Sequence, residues 1–175
     1  MYAHVHLMQG VTICRELRRD GVPTNRLLFV LGCIIPDFDP RTKNGTHVLR
    51  DALDEVRNFS RVEDASLRRR SFQAGRVCHH VADCFSVPHL APQVYNTRTK
   101  HMGYEGRHSS VLLREMCTNT AKAQTRRGFL MTFIREVQAA KGATPAENTT
   151  REAQRMMLWS SRAAHVLLGK PKLSV

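Results

Sequence analysis

Five side chains in two short segments carry most of the chemistry this sequence offers. HHVADCFSVPH (79–89) holds His79, Asp83 and His89, and KHMGYE (100–105) holds His101 and Glu105. His79 and Asp83 stand four residues apart, as do His101 and Glu105. On a helix such pairs share a face, so each pair can point at one ion. His89 follows Asp83 by six residues and closes the gap between the pairs. Upstream, PDF and TH add Asp37 and His47, and the N-terminal stretch adds His6. Imidazole nitrogen with carboxylate oxygen suits zinc, and these donors are too many for one tetrahedral ion. The pattern therefore points to a polynuclear zinc site, and such sites attack phosphate esters.

Helices must position these donors. Sustained apolar/polar alternation is absent, and the one Asn-Gly pair, Asn44–Gly45, lies in polar sequence, so strands and hairpins are not expected. The patterns predict helices over about 5–19, 27–33, 47–59, 66–86, 101–122, 128–140 and 151–168. Asp20–Gly21 stops the first, and Thr24 or Asn25 caps the second. PDFDPRTKNG from Pro36 is read as a loop, and Pro88 as the end of the fourth helix. The expectation is an all-α fold of about six or seven helices in one domain over 1–175. A polar linker at 140–150 leads to the last helix.

At 175 residues the chain can bury a core without disulfides. Its five cysteines, Cys14, Cys33, Cys78, Cys84 and Cys117, lack zinc-knuckle spacing and read as reduced, buried thiols of a cytoplasmic protein. LLFVLGCII (27–35) is far short of the ~20 apolar residues that span a bilayer, and no secretory signal is visible at the N-terminus. The net charge of +12, with pI near 10.3, favours anionic partners such as phosphorylated substrates, anionic headgroups or nucleic acid. Aromatic residues make up only 6% of the chain, which disfavours a base-stacking platform.

In order and spacing, these residues resemble the zinc-dependent phospholipase C family, whose all-α fold is shared with the single-strand-specific zinc nucleases. The family pattern H-x3-D-x5-H followed by H-x3-E is matched by His79, Asp83, His89, His101 and Glu105. GCIIPDF and THVL supply Asp37 and His47, and HVHLMQG supplies His6, with His4 in reserve. The resemblance implies a cleft with two or three zinc ions. Asp37, His47, His79 and Asp83 would hold the first ion, and His89, His101 and Glu105 the second. Asp83 would bridge to a third, which His6 helps to bind. Asp37 would also accept the proton of the attacking water. Asp39, Tyr104 and His108 are candidates for orienting the ligands.

The implied activity is hydrolysis of a phospholipid headgroup ester or another phosphodiester, with peripheral contact to an anionic membrane surface. The alternatives are a single-strand nuclease-like phosphodiesterase and a non-catalytic metal-binding protein with anionic partners.

Overall fold

The computed structural model describes residues 3–39, 49–90, 126–140 and 149–169, with isolated positions between 97 and 114. Among the described residues there are seven α-helices and no strand. They are α1 (Ala3–Arg19), α2 (Arg26–Ile34), α3 (Leu49–Ser60), α4 (Leu67–Asp83), α5 (Val87–Leu90), α6 (Arg126–Ala140) and α7 (Thr149–Leu168). Among these residues no helix is long and apolar enough to cross a membrane.

Local chemistry sets the boundaries. Gly21 has φ of +69°, a conformation costly for a residue with a Cβ. It lets Val22 N–H donate to Leu17 O (2.8 Å) and Gly21 N–H to Arg18 O (3.2 Å), which satisfies the last carbonyls of α1. Asn25 caps α2, its Oδ1 accepting from Leu28 N–H at 3.1 Å. The Asn25 N–H donates to Ser71 Oγ at 2.9 Å, tying the start of α2 to the start of α4. Ser66 caps α4 by accepting from Arg69 N–H.

Two boundaries differ from the sequence expectation. Pro36–Phe38, expected in a loop, belong to a 3₁₀ turn over Ile35–Phe38 with Pro36 near its start; proline lacks the N–H that a first turn leaves unused. The fourth helix ends at Asp83, short of the predicted 86. Phe85 N–H and Ser86 N–H reach back only three residues, to Ala82 O and Asp83 O, which tightens the chain into a turn. Pro88 then lies inside α5, again in a first turn where its missing N–H costs little.

α4 is the central helix, packed by α1, α2, α3 and α7. It crosses α2 at two glycines. A Cβ on Gly32 would lie 2.1 Å from Phe72 O, and one on Gly75 would lie 2.1 Å from Phe29 O. The two backbones therefore touch directly. Beyond Asp83, Phe85 packs on Phe133 and Trp159 with ring centroids 5.9 and 6.3 Å apart, and Phe129 joins them. This aromatic cluster fastens the turn after α4 to α6 and α7. Met156 and Met157 are buried too.

Candidate metal centre

The last two turns of α4 are buried throughout, although they include His79, His80 and Asp83. Burying three ionisable groups in a row is costly unless something holds them. The N-terminal turn of α1 and the 3₁₀ turn after α2 come to this end of α4. The His6 and His79 rings lie against each other with centroids 3.9 Å apart, tilted by 30°. Asp83 lies between their tips, with Oδ1 3.3 Å from His6 Nε2 and Oδ2 3.2 Å from His79 Nε2. Asp37 Oδ1 is 3.9 Å from His79 Nε2. His6, Asp37 and His79 can each offer one atom such that all lie within 4.8 Å of one another.

The hydrogen bonds behind the rings decide which nitrogen carries the proton. Gln9 Nε2 donates to the Cys78 carbonyl at 3.2 Å. A carbonyl can only accept, so the Gln9 amide has one orientation, and its Oε1 must face His6 Nδ1 at 2.9 Å. His6 Nδ1 is then the donor. His79 Nδ1 likewise faces the Cys33 carbonyl at 2.8 Å and must donate to it. Burial and the neighbouring His6 ring hold His79 well below the ordinary histidine range, so it is neutral at neutral pH. The neutral His79 ring therefore turns its Nε2 lone pair toward the carboxylate of Asp83, and His6 turns its Nε2 toward the same carboxylate.

Acceptors facing acceptors are unfavourable without a cation between them. His6 Nε2 is buried and makes no hydrogen bond, although a carboxylate oxygen is 3.3 Å away. Imidazole nitrogens with fixed tautomers beside two carboxylates form the donor set of a divalent ion such as zinc. The residues present fit that ion.

Residues 3–141 match the family described as zinc dependent phospholipase C. The chain belongs to the zinc-dependent phospholipase C family. No curated protein and no solved structure matches it. Membership brings phospholipase C-like function in general, a requirement for zinc and phospholipid as the general substrate class. The matched region contains every candidate ligand and stops before α7.

The structure brings together His6, Asp37, His79 and Asp83. His6 is buried and His4 exposed, so His6 is the N-terminal histidine of the cluster. His89 lies on α5 with both ring nitrogens buried and is not part of the His6–Asp37–His79 grouping. His47, His101, Glu105 and His108 lie outside the described residues. His80 turns toward α3, 4.0 Å from Glu55, and its ring meets His79 edge-on at 5.0 Å. Glu55 is held by Arg76 at 2.7 Å and by Gln73. The Tyr104 hydroxyl donates to Glu152 on α7.

Sequence reasoning missed Gln9, the Cys33 carbonyl and Glu152. Glu152 is buried, and its Oε1 accepts from Val87 N–H at 2.9 Å. It thereby anchors the start of α5, two residues before His89. The cysteine reading stands for the described thiols: Cys14, Cys33, Cys78 and Cys84 are free and buried. Burial pushes Cys14 up to about 11 and raises Cys33 and Cys78 well above the ordinary thiol range, so these thiols are poor thiolate ligands at neutral pH.

The Gln9 link makes a direct prediction. Gln9→Leu removes the acceptor that fixes His6, and zinc affinity is expected to fall about 10- to 100-fold. Competition with a chromogenic chelator measures this. Unchanged affinity would mean that His6 needs no partner behind it.

Proposed function

We propose that this chain is a zinc-dependent phosphodiester hydrolase that cleaves a phospholipid headgroup ester. The observation that carries the reading is the pair of buried Nε2 atoms, on His6 and His79, converging on the carboxylate of Asp83. His79, Asp83 and Asp37 would hold one ion with His47. His89, His101 and Glu105 would hold a second, and His6 with Asp83 a third, for two or three ions in all. Bound zinc supplies a hydroxide at neutral pH and neutralises charge on the phosphoryl oxygens.

The protein's own groups do the rest. Gln9 and the Cys33 carbonyl keep the protons of His6 and His79 on Nδ1, so neither ring takes the proton of the attacking water. Asp37 is the carboxylate nearest the solvent side of the cluster, 14% exposed where Asp83 is fully buried. It is the group placed to accept that proton and pass it outward. Glu152 keeps α5, and with it His89, at a fixed position against α7.

The test is turnover of a soluble nitrophenyl-phosphocholine diester and of a short-chain phosphatidylcholine, beside single-stranded DNA. The zinc-loaded protein is expected to hydrolyse the choline esters, to lose activity to chelator and to regain it with zinc. Cleavage of DNA alone would make it a nuclease-like enzyme. No turnover by a protein with confirmed zinc would leave a metal-binding protein.

A further inference from the structure

α2 is an unusual surface helix. Its sequence, RLLFVLGCI, contains one polar side chain, Arg26, at its first position. A helix apolar on all faces is normally enclosed, yet α2 is not. Leu27 is 69% exposed and Leu31 37%. The stripe continues into the 3₁₀ turn through Ile35 to Phe38, which is 66% exposed. Leu27, Leu31 and Ile35 follow at intervals of four, so they lie along one side of the helix. Phe38 ends the stripe next to Asp37, at the candidate metal centre.

The other end of the stripe is basic. The bond from Asn25 N–H to Ser71 Oγ brings the starts of α2 and α4 together. Arg26, Arg68 and Arg69 are exposed there, beside Leu67, itself 40% exposed. Apolar side chains in a row, flanked by guanidinium groups, suit the boundary between acyl chains and anionic headgroups. The same arginines disfavour a second copy of this chain as the cover, because copies meeting on this face would bring like charges together.

We propose that the Leu27–Leu31–Ile35–Phe38 face docks on an anionic phospholipid bilayer, with Arg26, Arg68 and Arg69 on its headgroups, presenting the surface to the metal centre. This deepens the phospholipid-hydrolase reading and rests on it. α2 lies along the interface over ~13 Å, and the stripe leads from the basic end to Asp37.

The test uses the zinc-loaded full chain and co-sedimentation with vesicles, either phosphatidylcholine alone or phosphatidylcholine with phosphatidylglycerol. The wild type is expected to partition onto the anionic vesicles. Leu27→Ser/Leu31→Ser is expected to lower partitioning at least ~10-fold, from the lost burial of two leucines. Hydrolysis of the soluble diester should be kept within about twofold, because both residues lie away from the ligands. Arg68→Gln/Arg69→Gln is expected to weaken binding at low salt and to change little at high salt, where exposed charge is screened.

Absence of vesicle binding by the wild type, or equal binding by the leucine variant, overturns the proposal. So does a dimer that the leucine variant dissociates while vesicles are ignored, since the occupant is then a second copy. Partitioning is read without turnover. Failure of the hydrolase reading appears instead in the soluble-diester assay, whatever the vesicles show.

Discussion

Asp83→Asn is expected to lower zinc content and to reduce hydrolysis at least ~100-fold, beyond the range that outer ligand partners produce. The effect on stability should change sign with metal. In the zinc-loaded protein, ion binding stabilises the native state by about 4 kcal/mol when zinc is at 1,000 times its Kd. Loss of that term lowers Tm by roughly 8–16 °C for a chain of this size. Without metal, the wild type holds a carboxylate against the Nε2 atoms of His6 and His79. An Asn amide puts its NH2 against one of those nitrogens and leaves an oxygen against the other, so the metal-free variant should melt no lower than metal-free wild type. His80→Ala is the contrast. His80 packs on His79 and faces Glu55, so its loss costs packing to a similar extent with and without zinc, and zinc content stays. Thermal melts of both variants, with and without zinc, read all four numbers. Equal zinc loss from the two substitutions would contradict the register of α4.

The second large effect comes from a residue with no functional group. Gly75→Ala places a methyl 2.1 Å from Phe29 O, a backbone atom that cannot rotate away. α2 and α4 must separate, at a cost of about 3 kcal/mol, or roughly 6–12 °C in Tm. Separation also withdraws the Cys33 carbonyl from His79 Nδ1, because Cys33 is the neighbour of Gly32 at the crossing. Zinc affinity should therefore fall together with stability. Gly10→Ala meets the Cys33 side chain at 3.2 Å as its nearest contact, and its effect should be smaller. Calorimetry with zinc titration separates the two. A Gly75→Ala protein with wild-type Tm would show that the helices do not meet so closely.

Much of the described fold was legible because its boundaries carry side-chain signals. The Asp20–Gly21 stop, the Asn25 cap and the polar 140–150 stretch placed α1, α2 and α7 within a few residues. The end of α4 was not legible. Pro88 was read as the terminator, but the turn starts earlier through three-residue backbone bonds, and the proline fits a new first turn. The i, i+4 spacing of His79 and Asp83 correctly put both on one face. The choice between His4 and His6 needed the packing of α1, since two residues apart on a helix means opposite faces. The anchors behind the ligands were invisible for a different reason. The Cys33 and Cys78 carbonyls are backbone atoms with no sequence signature. Gly32 and Gly75 look like mild helix breakers until the crossing is seen. Glu152 acts across 65 residues on Val87, and no local pattern reports such a separation.

The metal centre stands or falls on one locus, where His6, His79, Asp37 and Asp83 converge. Anomalous diffraction at the zinc absorption edge, from crystals of natively purified protein, tests it most directly. The expected result is a peak within bonding distance of His6 Nε2 or His79 Nε2 and of an Asp83 oxygen, with at least one further peak nearby. Zinc bound elsewhere, with no peak among these four side chains, would contradict the account.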